Sequence, residues 1–253
     1  MEELIFGIIF GLYGIVIGSF LNVLILRIPV KERFTLKRSH CMTCGHTLAW
    51  YDLFPLFSYL FLGGKCRYCK VHISCQYPIV ESLNGLLYIG LYLVNGLSVE
   101  TLLYCLCTSA LICLSVIDWR TKEIPFGFNL FIFLLGLIRL FTDIGDWSQY
   151  VIGLFAVSGF LFLLLILSKG RAMGGGDIKL MAATGLLLGW QLNIIAFLVG
   201  CILGSIIHLT LMAMKKADRV LAFGPYLSMG VYIAMIWGEQ LVSWYLSMWT
   251  FLE

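Results

Sequence analysis

At 253 residues, with 60% hydrophobic and only 12% charged residues and a mean hydropathy of +0.95, the chain has too few polar groups to cover a water-soluble core. An ordinary soluble domain carries about a quarter charged residues, so a soluble fold is excluded and a multi-pass membrane protein is expected. The net charge of +3 sits in a few loops without an interleaved aromatic platform, which gives no footprint for nucleic acid.

The first apolar run, 4–26, follows Glu2 and Glu3. It is too long for a signal-peptide core and has neither a basic segment before it nor a small-residue cleavage site after it, so it reads as a retained span. A basic stretch, 27–78, follows with Lys31, Arg33, Lys37, Arg38, Lys65, Arg67 and Lys70. Further apolar runs lie near 79–95, 101–117, 125–141, 148–168, 178–190, 194–214 and 224–247, the run at 178–190 being short. Lys and Arg near span ends stay cytoplasmic. Arg120 and Lys122, Lys169 and Arg171, and Lys215, Lys216 and Arg219 fall on the side of the basic loop, while Glu100, Asp143 and Asp146 fall on the other. Both termini are then outside, and Arg139 is the one basic residue at an outer end. The expected architecture is all-α: a polytopic bundle of about eight transmembrane helices with a cytoplasmic zinc-binding loop. Its parts are a first span (1–26), the loop (27–78) and the bundle (79–253).

Within the loop, Cys41-Met42-Thr43-Cys44-Gly45 and Cys66-Arg67-Tyr68-Cys69 form two Cys-x-x-Cys pairs. This spacing suits tetrahedral zinc, with Gly45 allowing the tight turn of a knuckle. Four thiolates close the shell, so Cys41, Cys44, Cys66 and Cys69 predict a structural metal. Disulfides are disfavoured in the reducing cytoplasm. His40, His46 and His72 read as exposed loop histidines. Cys75, Cys105, Cys107, Cys113 and Cys201 lack the spacing and read as small apolar packing residues, and His208 as a packed, hydrogen-bonded residue.

Two aspartates stand at the inner edge of spans. Asp118 closes Leu114-Ser115-Val116-Ile117, and Asp177 follows Gly174, Gly175 and Gly176. A carboxylate there is costly and hints at function. Taken alone, each also fits a helix cap or an interfacial charge paired with Arg120 or Lys179. Three glycines at membrane depth expose backbone that lipid cannot satisfy, so they should line a cavity or meet an extended peptide. Two close carboxyls share one proton, the arrangement of an aspartic peptidase: one takes a proton from water and the other hydrogen-bonds the oxyanion. The helix dipole at Asp177 favours it as the initial base. No nucleophile elbow, His-Glu-x-x-His, dinucleotide fingerprint or phosphate loop is present.

Taken in order, these segments resemble the type IV prepilin peptidase family. They are Gly18-Ser19-Phe20-Leu21-Asn22-Val23 with Arg27-Ile28-Pro29, the two cysteine pairs, Trp50-Tyr51-Asp52, Gly64-Lys65-Cys66-Arg67, and Tyr77-Pro78 with Val80-Glu81. Asp118 with Ile124-Pro125, Gly174 to Leu180, and Phe223-Gly224-Pro225 complete the set. The resemblance implies a bacterial inner-membrane enzyme that removes a short basic leader from prepilins or pseudopilins. It also implies methylation of the new N-terminus with S-adenosylmethionine. By similarity Glu81 is the expected methyl-transfer residue; Glu81 and Asn22 also fit as hydrogen-bonding groups between helices. Phe126-Gly127 stands where the family commonly has an acidic or amide residue, and Met42 where it has proline. Competing readings are a peptidase without methyltransferase activity, a proton-coupled transporter and a zinc-bearing scaffold without catalysis.

Overall fold

The computed structural model describes residues 2–32, 39–170, 174–214 and 221–250. Arg33, Lys37, Arg38, Arg171, Lys215, Lys216 and Arg219, which bear on the topology, lie outside the described residues. The helices are α1 (Glu2–Arg27), a 3-10 turn (Trp50–Leu53), α2 (Phe57–Phe61), α3 (Gln76–Asn95), α4 (Val99–Thr121) and α5 (Phe126–Thr142). They continue with α6 (Trp147–Leu167), α7 (Gly175–Leu188), α8 (Trp190–Ala213) and α9 (Gly224–Thr250). Each of the eight expected apolar runs coincides with one of the longer helices. Among the described residues, five segments are long and apolar enough to cross a membrane: α1, α3, α4, Ile144–Leu167 and α8. The chain divides into two compact units, Met1–Leu97 and Ser98–Glu253.

In the first unit α1 packs on α3. Gly14 and Gly18 of α1 meet Gly85 and Glu81 of α3 so closely that a Cβ on Gly14 would lie 2.8 Å from the Gly85 Cα, and one on Gly18 2.7 Å from the Glu81 Cα. Lipid offers helices no hydrophobic drive to associate, so such a bare seam brings backbones into direct van der Waals contact. Polar groups line it in matched pairs. Asn84 Nδ2 donates to the Gly14 carbonyl at 2.7 Å, and Asn22 Nδ2 donates to the Tyr77 carbonyl while its Oδ1 accepts from Gln76.

In the second unit α4 is the inner helix: 72% of its apolar stretch is buried, against 17% for α8. Helix α7 is wedged against α6, because a Cβ on Gly153 or on Gly185 would overlap the other's carbonyl. Asn193 of α8 locks this crossing. Its Nδ2 donates to the carbonyls of Met181 at 3.0 Å and Gly153 at 3.3 Å, and its Oδ1 pairs with the Thr184 hydroxyl at 3.1 Å. The expected gap at 191–193 is absent. Gly189, at φ +82°, turns the chain alone, its N–H capping the Gly185 carbonyl at 3.0 Å, and α8 begins at the next residue.

Arg139, the exception in the charge pattern, has its counter-ions at the same end. It pairs with Glu100 at 3.0 Å and Asp143 at 3.8 Å, and Tyr104 and Tyr150 donate to those two carboxylates. Cys105, Cys107 and Cys113 are buried as expected, but Cys75 is exposed, its sulfur 3.4 Å from the Tyr59 hydroxyl. It stands immediately before α3, as its N-cap, in the loop rather than within a helix.

Candidate active site

Helix α4 ends just past Asp118. Lys122 adopts a left-handed conformation, φ +58°, and its N–H returns to the Asp118 carbonyl at 2.8 Å. The Asp118 side chain turns inward, 5% exposed, while neighbouring Trp119 turns out. Its Oδ2 accepts the backbone N–H of Gly224 at 2.9 Å. That donor belongs to the first turn of α9, where amides have no partner within the helix.

Asp177 lies in the first turn of α7, also buried at 8% exposure. Gly174 is the N-cap, extended at φ −78° and ψ 144°, with no side chain to cap the helix. Gly175 and Gly176 form the first turn, so the three glycines make a bare helix start. A Cβ on Gly174 would sit 3.7 Å from Asp177 Oδ2, which places the carboxyl back over the cap.

The segments that carry the two carboxyls meet at Ile124. A Cβ on Gly176 would lie 3.0 Å from the Ile124 Cβ, and one on Gly224 would lie 3.3 Å from the Ile124 Cδ1 and 2.8 Å from Asp118 Oδ2. Asp177 is near enough to feel the charge of Asp118. Ile124 and Asn129 are the residues here that composition and spacing do not announce. Asn129 Nδ2 donates to the Gly176 carbonyl at 3.3 Å, and its buried Oδ1 has no partner among the described residues. The lone amide within an apolar helix is the signal in the sequence that points to Asn129. Phe126 is exposed beside the site, with the Lys179 ammonium 5.4 Å from its ring.

The four loop cysteines converge, with all sulfurs within 4.8 Å of one another and Cys41 and Cys69 at 3.8 Å. Zinc–sulfur bonds of about 2.3 Å in a tetrahedron put the sulfurs about 3.8 Å apart, so the donor set fits that ion. Each pair forms the same turn. The Gly45 N–H returns to the Cys41 carbonyl at 2.9 Å and the Lys70 N–H to that of Cys66 at 3.0 Å, with Gly45 and Lys70 both at positive φ. Backbone N–H groups of Cys44 and Thr43 stabilise the Cys41 thiolate and lower its pKa to about 6. At Cys69 the Val71 N–H pulls the same way, but desolvation and the neighbouring thiols Cys66, Cys44 and Cys41 outweigh it and push that thiol up to about 11. Four thiols in this space cannot all ionise without a cation between them. None of His40, His46 and His72 joins the cluster; His46 packs on the Tyr68 ring at 3.6 Å.

Glu81 is buried in α3 and already engaged, its Oε2 accepting the Leu56 N–H at 2.8 Å and its carboxylate also bonded by Ser19. His208 is half-buried and lines a cavity of about 300 Å³ with Cys201, Gly204, Ser205 and Phe223.

A multi-helix membrane protein with two buried carboxyls gathered at helix ends is the class that fold and site define. Residues 12–94 match the Bacterial Peptidase A24 N-terminal domain and residues 105–209 the Type IV leader peptidase family. Curated relatives named prepilin leader peptidase/N-methyltransferase are 34% identical in Aeromonas salmonicida (96% of this chain, 94% of the relative) and 32% identical in Stutzerimonas stutzeri (92% and 91%). The relative so named in Bacillus subtilis (strain 168) is 32% identical (94% and 96%). No solved structure matches. The chain belongs to the type IV leader peptidase family, which sets aside the transporter and the non-catalytic scaffold.

Proposed function

We propose that this chain is a membrane-embedded aspartic endopeptidase that removes the short basic leader from type IV prepilins or pseudopilins, with Asp118 and Asp177 as its catalytic pair. The observation that carries the assignment is the Gly224 N–H on Asp118 Oδ2, with Gly224 and Gly176, the residue before buried Asp177, both packed on Ile124. A hydrogen bond to a charged group contributes about 1.5–3 kcal/mol, against about 0.3–1 kcal/mol for a helix dipole. Asp118 is therefore the better holder of the negative charge, which reverses the assignment expected from the α7 dipole alone. In this mechanism Asp118 takes a proton from water, the water attacks the scissile carbonyl, and Asp177 donates a hydrogen bond to the developing oxyanion. The free amides of Gly175 and Gly176, with no side chains in the way, suit a substrate backbone.

The finer architecture follows the charge pattern: eight spans in the bacterial inner membrane, with both aspartates and the 27–78 loop at the cytoplasmic face. Cys41, Cys44, Cys66 and Cys69 would hold a structural zinc that orders the loop. The relatives' names include N-methyltransferase, and we assign this chain the same second activity, with S-adenosylmethionine as methyl donor. Glu81 serves it by tying the loop to α3 through Leu56. Purified protein incubated with a candidate prepilin and S-adenosylmethionine, followed by intact mass, tests both steps. The product should lose its leader and gain one methyl mass; an unprocessed substrate refutes the peptidase assignment.

A further inference from the structure

From Trp50 to Phe61 the cysteine loop presents an apolar face without cover: Trp50 is 74% exposed, Leu60 72% and Phe61 87%, with Phe54 and Phe57 each more than half exposed. Contiguous exposed aromatics on this scale mark a contact surface. The depth of the segment identifies what it contacts. Leu56, immediately before α2, is bonded through its N–H to Glu81, five residues into α3. At about 1.5 Å per residue this is about 7 Å below the start of that helix. The α1 side agrees: Gly18, packed against Glu81, lies nine residues before α1 ends at Arg27, or about 13 Å. Both α1 and α3 have the length and apolarity of membrane spans. The segment around Leu56 is therefore pinned at the level of two apolar spans, at the depth of exposed apolar residues such as Ile79 and Leu83.

Its chemistry suits that depth. Tyr51, Phe54, Phe57, Phe61 and Arg67 line an open groove of about 400 Å³. Asp52, 3% exposed, holds the Arg67 Nε–H at 2.7 Å and so orients the guanidinium fork. Lys65 and Lys70 flank Arg67 in sequence. Aromatic faces beside a fixed guanidinium, which lies 5.1 Å from the Tyr51 ring, match the acyl chain and the anionic headgroup of one lipid.

We infer that residues 50–61 form an interfacial element seated in the leaflet that α1 leaves and α3 enters, where the groove takes acyl chain and Arg67 the phosphate of an anionic phospholipid. The cysteine cluster then rides on the membrane surface rather than free in solution.

The test places photoreactive benzoylphenylalanine at position 57, 61 or 42 of the full chain in nanodiscs of phosphatidylethanolamine and phosphatidylglycerol. Met42 is the control, exposed at the cysteine turn. Lipid adducts are expected at 57 and 61 and none above background at 42. Cross-links at 57 and 61 to peptide, whether this chain or a second copy, or no adducts there at all, would overturn the inference. Arg67→Gln in the same background is expected to lower the proportion of phosphatidylglycerol adducts; an unchanged proportion would overturn the headgroup assignment.

Discussion

The backbone N–H of Gly224 donates to Oδ2 of Asp118 at 2.9 Å across 106 residues of sequence, so the start of the last helix sets the position of a carboxyl at the end of α4. Asp118→Asn and Asp177→Asn should each lower leader cleavage by about two to four orders of magnitude, the span of general acid–base catalysis. Thermal unfolding in detergent should be nearly unchanged. Substantial turnover by either variant, measured by intact mass of the prepilin, refutes the pair.

Gly224→Ala tests the positioning of the pair. The added methyl would fall 2.8 Å from Asp118 Oδ2 and must displace it. Because a misplacement of about 1 Å can cost about a hundredfold, kcat should fall by roughly ten- to a hundredfold with KM little changed. Full activity in this variant would show that the Gly224 contact does not set the geometry.

Purified protein should contain about one zinc per chain. Changing Cys41, Cys44, Cys66 and Cys69 together to Ser should remove it, and limited proteolysis of the loop should quicken as its order is lost. Equal metal content in the two proteins, by elemental analysis, contradicts the site.

Glu81 separates charge from geometry. Glu81→Ala leaves the Leu56 N–H without its acceptor, whereas Glu81→Gln keeps an oxygen in place. Leader removal should survive both changes. Methylation should be lost in Glu81→Ala and largely kept in Glu81→Gln. Equal loss in both would mean that the negative charge itself is needed, and normal methylation in Glu81→Ala would place the second activity elsewhere.

Gly185→Val should destabilise the second unit by about 1–3 kcal/mol or prevent its folding, since overpacking at that scale is typical and here the obstacle is the Gly153 backbone. A denaturation midpoint equal to wild type would contradict the close crossing of α6 and α7.

Hydropathy located all eight longer helices because lipid demands long apolar runs, and charge placed Asp118 and Asp177 at helix ends. The cysteine spacing likewise foretold a cluster, since each pair needs only a local turn. Contacts between residues distant in sequence are not legible in this way. Nothing near Ile124 indicates that it meets both Gly176 and Gly224, and an Asn in an apolar run does not name its partner, whether Gly176 for Asn129 or Gly153 for Asn193. The left-handed role of Lys70 is not legible either, because that position of a knuckle is expected to hold glycine, as Gly45 does in the first.

The two cysteine turns are built alike and meet each other, so the chain between Cys44 and Cys66 leaves and returns at nearly one point. Closing a longer excursion there is inexpensive, about 0.6 kcal/mol for each doubling of length. The interval between Cys44 and Cys66 can therefore gain residues without disturbing either turn, provided Leu56 keeps its place on Glu81, Asp52 its bond to Arg67, and residues 50–61 their seat. This makes it a practical site for grafting a reporter or a recognition segment into the enzyme.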